Sequence, residues 1–149
     1  MADKELDGRV AIVTGAGRNI GRAIALSLAA GGAAVVVNVR SNRADADAVV
    51  GEIEKAGGRA MTAVADVVDR PDVEKMVEAA VKRFGRIDIL VNNAALRAEK
   101  SLEDMTLEEW RRVIGVILDG AFVCVKACLP HLKKSGQGTI VNVLSLIHI

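Results

Sequence analysis

The residues of this chain that could do chemistry fall in four short clusters. Thr14-Gly15-Ala16-Gly17-Arg18-Asn19-Ile20-Gly21 is a glycine-rich run. Glycines let a backbone turn sharply and approach a phosphate, and a helix starting near Ile20 would point its free N–H groups at that anion. The same run would also serve as a plain turn between packed elements. Val39-Arg40-Ser41-Asn42-Arg43 offers guanidinium groups to an anion or, equally, makes a solvated basic edge. Asp66-Val67 and Asn92-Asn93-Ala94-Ala95 are the other two clusters, and Asp or Asn in such places also does ordinary turn work. Residues 8–44 hold five Arg and no acid, so positive charge gathers around the first two clusters.

The rest of the composition excludes more than it offers. Tyr is absent from the chain, so no phenol can act as acid, base or nucleophile. Cys124 and Cys128 lie four apart in a helical pattern and read as small apolar packing residues, not a disulfide scaffold. His131 and His148 lack Cys or acidic neighbours at ligand spacing, so no metal site is expected. With 20 Lys and Arg against 19 Asp and Glu, no overall field calls for nucleic acid or an anionic membrane. The charged start lacks the apolar stretch of a signal peptide, and a cytoplasmic protein is expected. Residues 23–39 are uncharged, but they are short for a membrane span and Gly31-Gly32 interrupts them.

The clusters need a frame, and the hydrophobic pattern supplies one. Hydrophobic residues make up 51% of the 149, enough for one core, and with 2% aromatics that core must be aliphatic. Short apolar runs at 9–14, 34–39, 59–65, 87–91 and 139–143 read as strands, the apolar character implying burial on both faces. Helical spacing recurs between them. Residues 20–30 stop at Gly31-Gly32, and Ala46, Val49, Val50 and Ile53 stop at Gly57-Gly58. Val73, Met76, Val77, Ala80, Val81 and Phe84 form one stripe, with Asp69 as cap, Pro71 in the first turn and Gly85 as stop. Thr106-Leu-Glu-Glu109 is a capping box, with Met105 and Trp110 placed for a hydrophobic staple, and opens a long helix to about Leu132. The alternation predicts an α/β protein with a doubly wound parallel sheet (a Rossmann fold), right-handed crossovers and helices on both faces. A single dinucleotide-binding domain over 1–149, truncated after its fifth strand, is the expected organisation.

Ligands of such sheets bind at the carboxyl ends of the strands, where all four clusters lie. An acid after the second strand suits the ribose 2′-hydroxyl of NAD, whereas Arg suits the 2′-phosphate of NADP; here Arg40 follows Val39. In order and spacing the four strand ends resemble the short-chain dehydrogenase/reductase family in its classical branch, from about residue 8 to residue 143. The likeness is strongest to its 3-oxoacyl-acyl-carrier-protein reductase-like members. The resemblance implies that Thr14, Gly15, Arg18, Asn19, Ile20 and Gly21 belong to the T-G-x-x-x-G-x-G phosphate loop. It implies that Asp66 and Val67 hold the adenine ring, and that Asn92 and Ala94 belong to the N-N-A-G segment beside the nicotinamide ribose. Arg18 and Arg40 match the positions that mark NADP over NAD.

The sequence also departs from the family. Asn19 stands where the family has its middle loop glycine, and Asn tolerates positive φ better than most residues. Ala95 replaces the last Gly of N-N-A-G. Residues 110–122 match the family's W-x-x-x-x-x-x-N-x-x-G-x-F run, and its catalytic Asn falls on Ile117. An Ile side chain cannot hold the water of a proton relay. It continues the apolar face of Ile114, Ala121 and Cys124, so core packing is expected for it. Ser145 falls where the catalytic Ser would be, but residues 144–149 do not continue as the family does. They spell what a transposon adapter end encodes in one reading frame, and a foreign tail is the expectation there. The family's Tyr-x-x-x-Lys pair would lie beyond residue 149.

The implied chemistry is hydride transfer between NADP and a small-molecule ketone or secondary alcohol, with a 3-oxoacyl thioester among the candidates. The resemblance further implies a homo-oligomeric longer form, and a chain inactive as written. The alternative is a dinucleotide-binding protein without chemistry, for which Ile117 speaks.

Overall fold

A computed structural model describes residues 4–144 of the chain. Its five strands are β1 (Val10–Val13), β2 (Ala34–Val39), β3 (Arg59–Val64), β4 (Ile89–Asn92) and β5 (Thr139–Asn142). They form one parallel sheet in the order β3-β2-β1-β4-β5. The connecting helices are α1 (Asn19–Ala30), α2 (Arg43–Lys55), α3 (Arg70–Phe84), α4 (Leu107–Ile114) and α5 (Gly120–Ser135). The chain starts in the middle of the sheet, winds out through β2 to β3, then returns to β4 on the other side of β1. That reversal between β1 and β4 is the switch point at which doubly wound sheets bind ligands.

The apolar runs become strands because both faces of the sheet are covered. Side chains alternate across a strand, so each central strand feeds two cores at once. Ala11 and Val13 of β1, Val35, Val37 and Val39 of β2, and Ile89 and Val91 of β4 join the core that contains Ala25 of α1 and Val49 and Ile53 of α2. Ile12, Val36 and Leu90 point the other way, into the core that contains Val73, Met76 and Val77 of α3 and Cys124, Cys128 and Leu132 of α5. The outermost strands differ: β5 is exposed along its whole length and β3 is exposed at both ends.

The helix signals take the expected form at most ends. The Asp69 carboxylate accepts a hydrogen bond from Asp72 N at 3.0 Å, Pro71 sits in the first turn of α3, and Gly85 closes it at φ 84°. Thr106 and Glu109 make the reciprocal capping box of α4. Cys124 and Cys128 are fully buried free thiols, and burial pushes both up to about 12. Neither supplies a thiolate at neutral pH.

The long fourth helix departs from expectation. Between α4 and α5 lies a π-helical turn, Gly115–Asp119, which adds a residue to the turn and resets the inward face. The inward stripe runs through Val116, Gly120, Cys124, Cys128 and Leu132. Ile117 is therefore half-buried inside the π turn and belongs to neither core, contrary to the expected core packing. The whole stretch Leu107–Ser135 is long and apolar enough to cross a membrane by length and composition, yet its inward residues pack on α3 and β4.

At the amino ends of the strands Asp88 is fully buried. Its Oδ2 accepts from Val10 N at 2.9 Å and its carboxylate pairs with the Arg86 guanidinium, which raises the Arg86 pKa above its ordinary value by hydrogen bonding first and charge second. Asp88→Ala leaves the Val10 N–H of the central strand buried without a partner, and should lower unfolding free energy by about 1–3 kcal/mol. Asp88→Asn keeps an oxygen for that N–H and should recover part of the loss; urea unfolding of both variants checks this. A second expectation comes from β5, whose Ile140 and Val141 are exposed beside exposed Leu144. An apolar edge strand is a template for association, so sedimentation of the 149-residue chain should rise with concentration.

Candidate functional site

The site is built on Thr14, the residue that follows β1. Thr14 is buried, and its hydroxyl accepts from the backbone N–H groups of Asn93 at 3.0 Å and Ala94 at 2.9 Å while donating to Val91 O at 3.4 Å. Asn93 answers with its side-chain amide, which donates to Thr14 O at 3.0 Å and Gly15 O at 3.2 Å. The loop after β1 is thus stitched to the loop after β4 across the switch point.

That stitching leaves no room for a side chain at Gly15 or Gly21. Gly15 lies at φ 61°, and a Cβ there would sit 3.0 Å from Ala94 Cα. At Gly21 a Cβ would fall 2.2 Å from Gly15 O and 2.6 Å from Asn93 Nδ2. Gly17 is pressed against β2, where a Cβ would meet Val39 Cγ1 at 2.7 Å. Asn19 has φ 50°, the one non-glycine residue with positive φ among the described residues. The sequence expectation that Asn would tolerate this conformation is met by the geometry.

At the start of α1 the extended cap residue Arg18 makes no side-chain capping bond, and no acid lies in the first turn. The first-turn N–H groups therefore remain open to an anion, with the helix dipole in their favour. Ile20 lies in the same turn and is 63% exposed. Of the arginines nearby, Arg22 pairs with Glu52 and Arg43 pairs with Asp47 at 3.7 Å. Arg18 and Arg40 are exposed, and neither is within salt-bridge distance of an acid among the described residues.

The loop after β3 holds its own shape. Asp66 Oδ1 accepts from Val68 N at 3.2 Å, and Asp66 N donates to Asp72 Oδ2 at 3.2 Å. Val67 is buried under the first turn of α5, so close that a Cβ on Gly120 would meet Val67 Cγ2 at 2.6 Å. Asn92 closes β4 and donates from Nδ2 to Asn142 Oδ1 of β5 at 2.9 Å, while its own buried Oδ1 has no partner among the described residues. An orphaned buried oxygen of this kind calls for a donor.

Residues 93–106 lead from this point to α4. The Lys100 ammonium, then the Thr106 N–H, hold the Glu109 carboxyl down to about 2, so this clip stays charged through the neutral range. Ile117 follows in the π turn.

The structure therefore brings Thr14, Gly15, Arg18, Asn19, Ile20, Gly21, Arg40, Asp66, Val67, Asn92 and Ala94 to one end of one sheet. Ser145 lies outside the described residues. Sequence reasoning did not single out Asn38 or Asn142. Asn38 carried a signal, being the lone polar residue in the buried run Ala34–Val39. No group of three or more His, Cys, Asp or Glu could hold a metal ion among the described residues.

Comparison with known proteins agrees with this geometry. The chain is 43% identical over 141 residues to a 3-oxoacyl-[acyl-carrier-protein] reductase of Synechocystis, covering 95% of this chain and 57% of that protein. It is 45% identical over 143 residues to an uncharacterised oxidoreductase of Methylorubrum extorquens, covering 96% of this chain and 57% of that one. The chain thus spans a little over half the length of these curated relatives. Among solved structures, a metagenomic short-chain oxidoreductase in complex with NADP superposes with a TM-score of 0.88 at 36% identity, over 95% of this chain and 64% of the other. A short-chain dehydrogenase from Mycobacterium avium gives 0.85 at 38% identity, over 93% of this chain and 54% of the other. The family profile described as short chain dehydrogenase matches residues 9–148. With its switch-point loop, its strand order and these matches in agreement, the chain belongs to the short-chain dehydrogenase family of oxidoreductases.

Proposed function

We propose that this chain is the cofactor-binding part of an NADP-dependent reductase that acts on a small-molecule ketone, with a 3-oxoacyl thioester as the favoured substrate class. The observation that carries the cofactor choice is that Arg18 and Arg40, beside the loop, have no acidic partner among the described residues. Arg22 and Arg43 are occupied by Glu52 and Asp47, which leaves Arg18 and Arg40 for a ligand phosphate. Between them the second strand ends in a buried Val39 under Gly17, not in an acid that would favour a ribose 2′-hydroxyl. The substrate class is supported by the relative named as a 3-oxoacyl-[acyl-carrier-protein] reductase.

The residues present fit a dinucleotide. The glycine cradle admits backbone close to phosphate, the open α1 N-terminus supplies donors, and the orphaned Asn92 Oδ1 lies at the fourth strand end. A bound nicotinamide would supply the hydride. The chain's own share is binding and orientation. Gly17 to Gly21 would hold the pyrophosphate, Arg18 and Arg40 the 2′-phosphate, Asp66 and Val67 the adenine, and Asn92 to Ala94 the nicotinamide ribose. Proton delivery to the substrate oxygen has no carrier here, because the chain contains no Tyr and places Ile at position 117. Ile117 also favours a second reading, a dinucleotide-binding protein that performs no reduction. The exposed Leu118 of the π turn and Phe122 of α5 support a homo-oligomer for the longer protein.

Fluorescence titration should give tighter binding of NADPH than of NADH by the 149-residue chain. Arg40→Asp should weaken NADPH at least about tenfold, as expected for the loss of a charge-assisted bond, and leave NADH nearly unchanged. Equal affinity for the two cofactors sinks the NADP assignment. The same chain should oxidise no NADPH in the presence of a 3-oxoacyl thioester or a simple ketone. Grafting on a carboxy-terminal segment that carries Tyr-x-x-x-Lys separates the two readings: turnover supports the reductase, and continued silence with cofactor bound supports the binding protein.

A further inference from the structure

We propose that Asn38 is a positioning residue that holds the phosphate loop and the adenine-side strand end in register around β2. The inference deepens the NADP reading above and rests on it.

Asn38 is 1% exposed, in a strand whose other residues are all Ala or Val. It stands where the sheet comes apart. The ladder between β1 and β2 ends at the pair Val13 and Val37, one residue before Asn38, whereas β3 stays paired with β2 as far as Val39. The departing β1 chain turns into the glycine loop at that level. Asn38 bridges the opening from both ends of its amide. Its Oδ1 accepts from Gly15 N at 3.3 Å, and its Nδ2 donates to Ala65 O at 3.0 Å and Ala63 O at 3.3 Å. The reverse orientation would set an NH2 against the Gly15 N–H and an oxygen against two carbonyls, so only one assignment is satisfied. The backbone adds a further bond, from Ala16 N to Asn38 O at 2.8 Å.

The consequence is a division of labour among the loop N–H groups. Those of Gly15 and Ala16 are consumed internally by Asn38, which holds Gly15 at its positive φ. The N–H groups further on, at the start of α1, are left for a ligand. The carbonyls bound on the other side belong to Ala63, near the end of the β3 ladder, and Ala65, which immediately precedes Asp66. One buried side chain thus sets the spacing between the pyrophosphate and adenine ends of the cradle. Apolar substitution removes these bonds and leaves Gly15 N and Ala65 O, both past the end of the ladders, without that partner. Because the pyrophosphate and adenine are common to both cofactors, the loss should fall on NADPH and NADH alike.

The test is titration of NADPH and of NADH into the 149-residue chain and its Asn38→Val variant, at a temperature where circular dichroism shows both folded. Both affinities should drop by about tenfold, leaving their ratio unchanged, a size set by the loss of a buried hydrogen-bonding side chain. Wild-type binding with an unaltered Asn38→Val variant overturns the role of Asn38 and leaves the cofactor reading intact. A fall for NADPH alone also overturns it, because that pattern belongs to the 2′-phosphate. Failure of the wild type to bind either cofactor overturns both. Amide hydrogen exchange in the cofactor-free wild type keeps the proposal testable if the variant does not fold. Gly15 and Ala16 should be protected while Gly17 and Arg18 exchange fast, and unprotected Gly15 and Ala16 overturn the proposal.

Discussion

Thr14 Oγ1 is the point on which the site depends. One hydroxyl accepts two N–H groups from the loop after β4, and the side chain of Asn93 returns two bonds to the loop after β1. A doubly wound sheet has an opening at this place by construction, because the chain leaves β1 in one direction and β4 in the other. Unpaired backbone groups in that opening would cost free energy if buried. Here they are paired with each other, so the crevice keeps its floor without any ligand. The glycines follow from this. Once the two loops are held this close, Gly15 and Gly21 have no space for a side chain, and the turn into α1 is forced to be tight.

The same logic explains why the cofactor side of the molecule is so well closed on itself. β1 is buried along its whole length and satisfied at both ends, by Asp88 at its start and by Thr14 just past its finish. β2 is held to β1 by its ladder and, past the ladder, by Asn38. Arg22 and Glu52 tie α1 to α2 on the surface, a contact of modest worth because both groups are partly exposed. The N–H groups open to an anion are therefore those that the paired sheet and the stitched loops leave over.

Much of this frame was legible in the sequence, because its causes are local. Buried strands read as unbroken apolar runs, the Asp69 cap and the Thr106 and Glu109 box read from spacing, and Asn19 read as a residue able to take positive φ. The strand ends erred by a residue or two, which is the scale on which ladders fray. The π turn was not legible. An apolar stretch from Val113 to Val125 fits an unbroken helix, and only the packing of Gly120 on Val67 shows which residues face inward. Ile117 was misplaced for that reason. Asn142 was invisible for another: its partner Asn92 is 50 residues away, and nothing in either segment encodes the pairing.

The two halves of the site differ in how their residues are committed. On the side of β1, β2 and β3, Thr14, Asn38 and Asn93 bond the loops internally, and the groups left open include the N–H donors at the start of α1 and the Arg18 and Arg40 guanidinium groups, which suit phosphate. On the side of β4 and β5 the pattern inverts. Asn92 Oδ1 is buried with no donor, β5 is exposed, and Ile117 presents a hydrocarbon in the π turn where a polar relay would need an oxygen or an amide. Binding an anionic dinucleotide asks only for the first set. Moving a proton to a carbonyl oxygen needs a titratable group near the second, and the thiols closest in sequence, Cys124 and Cys128, are buried in the core with pKa values near 12. The described residues therefore hold an internally braced loop with donors suited to phosphate on one side of the switch point, and apolar surface with one unmatched acceptor on the other.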